Sequence, residues 1–330
     1  MPPPHEDDRA VDALRKLVNG YQASQAIHVA ATLGIADLLA EGPRTSDDLA
    51  AETGAHPDAL YRLLRALAGV GIFREEEDRR FALTDLGAPL RSDAPDSIAD
   101  WARFVGRRYY RDAWSSLLDS VRTGENAFRL THGVGVWEYR AMRPEESEIF
   151  DRAMAANSRR DIQAVLAAFD LSRFQTLADV GGGNGALLRA ALERYEHLRG
   201  ILFDQPHVVA GVDLGDRCHV VAGDFFEEVP GGADAYLLKS ILHDWEDEES
   251  IAILRNVRRA GGVLLVVERV VGPPNEGPEA KLSDLNMLVA PGGRERTEAE
   301  YAALFEAGGF RLVGVTPTES GADVLEGAPA

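Results

Sequence analysis

From about residue 176 onward, short apolar runs alternate with longer segments of helical periodicity. The runs at 177–180, 200–203, 218–221, 234–238, 262–268, 311–316 and 322–327 are four to seven residues long. Each reads as a strand. Strands that alternate with helices predict a mostly parallel sheet covered on both faces, an α/β, Rossmann-like architecture. The last two runs lie too close for a crossover helix and predict an antiparallel hairpin.

The first hundred residues carry a different pattern. Residues 1–10 read as disordered, and 14–39 as one or two helices punctuated by Gly34 and Gly42. Ala26, Ile27, Ala30, Leu33, Leu38 and Leu39 form a stripe there that suits either a dimer helix or intrachain core. Thr45 heads a short helix as N-cap, with Asp47 and Asp48 in its first turn. Pro57 opens a second helix, with Leu60, Leu63, Leu64 and Leu67 on one face. An apolar pair at Ile72 and Phe73, a charged turn and a run at 81–84 then predict a hairpin. Helix–turn–helix plus hairpin is a winged-helix layout. Residues 88–175 read as mostly helical and rich in aromatics, among them Trp101 and Phe104, a candidate wall for a planar ligand.

Composition narrows the use of these elements. The chain has 330 residues, enough for two domains, and a formal net charge of −19. Segment 45–100 holds twice as many acids as arginines, and its wing carries Glu75, Glu76, Glu77 and Asp78. A DNA reader needs a basic face, so nucleic acid is not an expected partner, and an anionic membrane is not either. No apolar run is long enough for a membrane span, and the first residues do not resemble a signal peptide. One cysteine, Cys218, allows no internal disulfide. A cytoplasmic location is expected.

The chemistry concentrates on the loops that follow the strands. The segment 179–185 reads Asp-Val-Gly-Gly-Gly-Asn-Gly between a strand and a helix. Such a loop lets a nucleotide approach the backbone. It satisfies the dinucleotide pattern and the S-adenosylmethionine (SAM) pattern equally. Asp204, at the next strand end, can hold a ribose diol in either case. Asp224 and Phe225, after the third strand, suit an adenine and favour SAM. His243 lies just past the fourth strand and Glu268 ends the fifth. Ligands of open α/β sheets sit at such carboxyl ends, so these two are a candidate base and its orienting acid. His207 and His243 do not make a metal spacing, and no metal is expected.

Taken together, these motifs resemble the SAM-dependent small-molecule O-methyltransferases of the caffeate and hydroxyindole type, and more closely their bacterial relatives that tailor aromatic natural products. The resemblance rests on 179–185, FDQPH at 203–207, GDFF at 223–226, LKSILHDW at 238–245, Glu268, and GGRERT at 292–297. It runs from the winged-helix region to the final hairpin. It implies a SAM methyltransferase sheet at the C-terminus and an N-terminal winged-helix dimerisation domain in a homodimer. It implies that Ser158, Asp179, Gly181, Gly183, Asp204, Gln205, Asp224, Phe225, Lys239 and Ser240 bind the cofactor, which leaves as S-adenosylhomocysteine (SAH). His243 matches the family's base, and Glu268 and Glu295 the acids flanking it. Met154 and Met287 match positions that sandwich the acceptor ring; Trp101, Phe104 and Asn286 join them as acceptor-side candidates. Ala290 stands where some plant members carry Asn, so a plant-type acceptor contact is not carried over.

The expected domains are 1–100 for dimerisation, 101–175 as helical linker and lid, and 176–330 for catalysis. The expected reaction is methylation of a phenolic hydroxyl on an aromatic small molecule. Alternatives on the same scaffold are carbon methylation, decarboxylation or hydroxylation, and, less favoured, a winged-helix regulator.

Overall fold

A computed structural model of the chain describes residues 6–330. It divides into two compact units: one runs to Asp112 and adds Arg140–Asn157, and the other comprises Ala113–Tyr139 and Ser158–Ala330. The segment 101–175 therefore contributes to both.

In the first unit, strands β1 (Arg44–Thr45), β2 (Phe73–Glu75) and β3 (Arg80–Leu83) form an antiparallel sheet in the order β1-β3-β2. Helices Ser46–Thr53 and Pro57–Gly69 precede the β2–β3 hairpin, the winged-helix layout. Thr45 caps the first of these helices by accepting the N–H of Asp48. Leu49, Leu60, Leu64, Phe73 and Phe81 are all but inaccessible at its centre. Ala30, Ala31, Ile35, Ala36 and Leu39 join that core. Of the stripe at 26–39, Ala30 and Leu39 are buried in this core, and Ala26, Ile27, Leu33 and Leu38 pack against it half-buried. The exposed apolar row lies one helix earlier: Glu6–Val18 leaves Val11, Leu14, Leu17 and Val18 open to solvent. That helix corrects the expectation of disorder for residues 6–10: the sequence sets Glu6, Asp7 and Asp8 at its start and Arg15 and Lys16 in its last turn, the charge order that suits a helix dipole. Residues 1–5 lie outside the described residues.

The second unit is built on seven strands: β4 (Thr176–Val180), β5 (Arg199–Asp204), β6 (Cys218–Ala222), β7 (Ala235–Lys239), β8 (Val263–Glu268), β11 (Phe310–Thr316) and β12 (Asp323–Pro329). Two short strands, β9 (Val270–Val271) and β10 (Arg296–Thr297), pair in parallel outside it. The sheet order is β11-β12-β8-β7-β4-β5-β6. Five strands are parallel, and β12 enters antiparallel between β8 and β11. All seven runs expected as strands are strands, including the final hairpin. Both sheet faces are covered, which explains why the central strands read as continuous apolar runs. On β8, Leu265 and Val267 pack into one core and Leu264 and Val266 into the other.

The chain visits β4, β5 and β6 in one direction and then returns to β7 on the other side of β4. That reversal opens a crevice at the carboxyl ends of β4 and β7. Asp179 closes the bottom of it and is only 2% exposed. Burial pushes its pKa up to about 7, with Lys239 opposing and Asp204 adding to the rise. Between the ordinary carboxyl value of about 3.9 and 7, the folded protein holds a proton that the unfolded chain has released. Stability therefore falls as pH rises through that window, by roughly 4 kcal/mol for a shift of this size. Asp179→Asn is expected to flatten the dependence, so that urea unfolding at pH 5 and pH 8 gives closer midpoints than in the parent. An unchanged pH slope would show that Asp179 is ionised in the fold.

Candidate active site

The loop after β4 turns on left-handed glycines. Gly181 has φ +71°, and a Cβ there would sit 2.5 Å from Ile241 Cδ1. Any other residue type would have to hold a left-handed backbone and push the Ile241 side-chain tip aside. The Gly183 N–H donates to Asp204 Oδ2 at 2.8 Å, and the Gln205 N–H to Asp204 Oδ1 at 2.6 Å. The Asp204 carboxylate is thereby fixed at the end of β5, opposite the glycine loop.

A cavity of about 240 Å³ opens beside it, lined by Asp204, Gln205, Gly223, Asp224, Phe225, Phe226 and Trp245. The structure thus gathers four of the expected cofactor residues into one pocket. It adds Phe226 and Trp245, whose rings meet edge to face at 4.8 Å and 86°. Trp245 was visible in the 238–245 motif but had no role assigned, because nothing in the spacing places it beside residues 20 positions earlier. Asn256 anchors the aromatic floor by donating to the carbonyls of Phe225 and Phe226 at 2.8 and 2.9 Å. Acids at two strand ends and aromatic faces between them are the chemistry that a ribose and an adenine require.

Lys239 and Ser240 follow at the end of β7. Ser240 has φ +55°, a left-handed backbone that side chains other than glycine resist, and its N–H donates to Val267 O at 3.0 Å. Ser158 lies half-buried on helix Pro144–Ala168 in the same unit.

The 3₁₀ turn Leu242–Asp244 carries His243. Glu268, at the end of β8, is 2% exposed. Its Oε1 accepts the N–H groups of Ile241 and Leu242 at 2.9 Å, and that of His243 at 3.4 Å. Its Oε2 stands 3.2 Å from His243 Nδ1. Glu295 Oε1 stands 3.6 Å from the same nitrogen and accepts the Ser283 hydroxyl at 2.8 Å. Glu268 is therefore the nearer partner and also the residue that shapes the turn, while Glu295 is the more distant second acid. Ser283, and Asp284, which accepts the Glu295 N–H at 3.0 Å, were not singled out in the sequence. Both sit on helix Pro278–Val289 without any motif around them. The donor atoms of His243, Glu268 and Glu295 lie within 4.8 Å of one another, close enough for a ligand set. Sequence spacing does not show this, because the three come from separate elements.

Burial opposes a charge on His243, but Glu268, Glu295 and Asp244 outweigh it and raise its pKa to about 10. Burial likewise raises Glu268, to about 7, against the pull of His243. Two buried acids around one imidazole make that ring a strong base.

The residues expected on the acceptor side divide between the units. Met287 is buried and Asn286 half-buried on helix Pro278–Val289 of the second. Trp101, Phe104 and Met154 belong to the first. There Phe104 packs against Trp101, Tyr110 and Phe150 with centroids 5.6, 4.7 and 5.3 Å apart. The Arg140 guanidinium covers Phe150 at 3.5 Å.

Comparison with known proteins matches this site to a family. Residues 114–311 match the model of an O-methyltransferase domain, and 15–92 that of an O-methyltransferase dimerisation domain. The chain is 45% identical to phenazine O-methyltransferase PhzM of Lysobacter antibioticus, over 96% of this chain and 95% of that one. It is 41% identical to the mitomycin biosynthesis 6-O-methyltransferase of Streptomyces lavendulae, over 94% and 92%. The crystal structure of human N-acetylserotonin methyltransferase in complex with SAM superposes with a TM-score of 0.88 at 30% identity, covering 100% of both chains. Two matched domains and likeness along the whole length agree with the geometry of the crevice: the chain belongs to the SAM-dependent O-methyltransferases and, carrying their dimerisation domain, is a homodimeric enzyme of that family.

Proposed function

We propose that the enzyme transfers the methyl group of SAM to a phenolic hydroxyl of an aromatic small molecule, in the cytoplasm and in the service of natural-product tailoring. The observation that carries this reading is the pairing of His243 with two buried acids, in the same unit as the aromatic cofactor cavity. Relatives named for phenazine and mitomycin chemistry support an aromatic acceptor. Among the described residues no helix is long and apolar enough to cross a membrane.

When bound, SAM supplies a sulfonium methyl, already a strong electrophile that needs no Lewis acid, and a positive charge that disfavours a second cation at His243. The remaining work is alignment and removal of one proton. Asp204 holds the ribose, with Gln205 beside it. Asp224, Phe225, Phe226 and Trp245 receive the adenine. Gly181, Gly183 and Asp179 shape the floor near the methionine portion, and Ser158, Lys239 and Ser240 complete the contacts. Asn286 and Met287, and on the resemblance alone Trp101, Phe104 and Met154, serve the acceptor.

His243 takes the phenol proton as the new O–C bond forms. A phenol ionises near 10 and an ordinary imidazole near 6.5, a mismatch of about 3.5 units. The acids around His243 close that mismatch by raising its pKa to about 10. A stronger base draws the proton further, but only the neutral fraction of the imidazole at the working pH can accept it.

The test is to incubate the purified protein with SAM and a panel of phenols and to follow methylated product by mass spectrometry. His243→Ala is expected to lower kcat by roughly 10²–10⁴-fold while SAM binding stays at the parental level. A variant with parental turnover would remove His243 from the chemistry. Asp204→Ala and Trp245→Ala are each expected to weaken SAM in calorimetry, and unchanged affinity would move the cofactor elsewhere. The base must be neutral to accept a proton, so kcat/KM is expected to rise with pH and to keep rising well above 6.5. In Glu295→Gln, where one negative neighbour is lost, the rise should come at lower pH by about one unit or more. A profile that does not move would place Glu295 outside the electrostatics of His243.

A further inference from the structure

Arg296 lies 54 residues from the turn that its side chain touches, and it is 1% exposed, the largest fully buried side chain among the described residues. A guanidinium so deep is tolerated only where its donors are met. Nη1 donates to Leu242 O at 2.9 Å, and Nη2 to Trp245 O at 2.8 Å. Nε and Nη2 reach Asp247 Oδ1 at 3.1 and 2.8 Å, at the first residue of helix Asp247–Ala260. Those two carbonyls stand one residue before and two residues after His243. The planar fork spans them in a way that a single ammonium cannot.

The buried Ser250 hydroxyl reaches the same two carbonyls, but at 3.3 and 3.5 Å, longer than either bond from the guanidinium. A 3₁₀ segment of three residues is not stable by itself. Glu268 Oε1 gathers its N–H groups at one end. At the other, the Arg294 N–H donates to His243 O at 2.9 Å. That bond exists because residue 293 is glycine, since a Cβ there would fall 2.1 Å from His243 O. A carboxylate thus grips the donor end of the turn, and a guanidinium grips the acceptor end. The ion pair with Asp247 is a lesser part of this, because that carboxylate is 61% exposed and screened by water.

We propose that Arg296 is a positioning residue for methyl transfer: by bridging the carbonyls on either side of His243, it fixes the imidazole against Glu268 and Glu295. The inference rests on His243 being the base. Positioning of this kind is worth much in rate, because a displacement of about 1 Å can cost on the order of 100-fold.

The experiment compares Arg296→Met and Arg296→Lys with the parent as purified dimers. It measures kcat and KM at saturating SAM, SAM affinity by calorimetry, and the titration of His243 by NMR of labelled histidine. Arg296→Met is expected to lose about 100-fold in kcat, with KM and SAM affinity within roughly twofold. Its His243 signal should titrate lower than in the parent, as the ring drifts from its two acids. Arg296→Lys keeps the charge but not the fork and should recover only part of the loss. If the methionine variant does not fold, the lysine variant decides alone, by the same fall in kcat and the same downward titration. The proposal is overturned if a folded variant keeps parental kcat, if the loss falls on KM or SAM affinity instead, or if His243 titrates as in the parent. Should His243→Ala keep parental turnover, the assignment of the base fails, whereas the effect of Arg296 on the titration of His243 is still read directly.

Discussion

The carboxylate of Glu268 is the element on which the catalytic end of the sheet depends. One oxygen collects the N–H groups of the turn that follows β7, and the other faces the imidazole of His243. A buried carboxylate costs several kcal/mol unless it is compensated, and here the compensation comes from backbone N–H groups and the imidazole it faces. The strand end, the turn and the base are therefore one electrostatic unit. Any change that displaces the turn also leaves a charge unpaired, so the shape of this region and its reactivity are hard to separate.

Much of this arrangement was legible in the residues. The seven strands showed as apolar runs because both sheet faces are buried, so each strand carries its burial in its own letters. Asp204, His243 and Glu268 could be found because a ligand crevice lies at strand ends, and strand ends are visible. Arg296 was not legible as buried: an arginine between Glu295 and Thr297 looks like surface, and its partners at 242, 245 and 247 share no periodicity with it. Ser283 and Trp245 escaped for the same reason, since hydrogen bonds and ring contacts between distant segments leave no repeat. The stripe at 26–39 was ambiguous because a dimer face and an intrachain core use the same small and apolar residues. Only the packed structure shows that it meets Leu49, Leu60 and Leu64.

The first unit shows how far an architecture can be separated from its commonest use. Its helices and hairpin have the layout of a nucleic-acid reader, yet the wing is acidic and the chain carries a net charge of −19. What the layout keeps is a dense apolar centre and an exposed row on helix Glu6–Val18. A fold of this kind serves as a platform for self-association without any of the charge that a phosphate backbone demands.

Ser240 carries a different kind of information. Wherever this chain adopts a left-handed backbone it almost always uses glycine, and Ser240 is one of four exceptions among the described residues, with Asp78, Arg79 and Asn275. The other three include an aspartate and an asparagine, which tolerate that conformation best. A serine there sacrifices on the order of 1 kcal/mol of stability. A chain selected for robustness alone would place glycine at the mouth of the crevice. The strained residue stands where β7 ends, at the point where the strand order reverses and the crevice opens, so the backbone cost falls at the carboxyl end of the sheet.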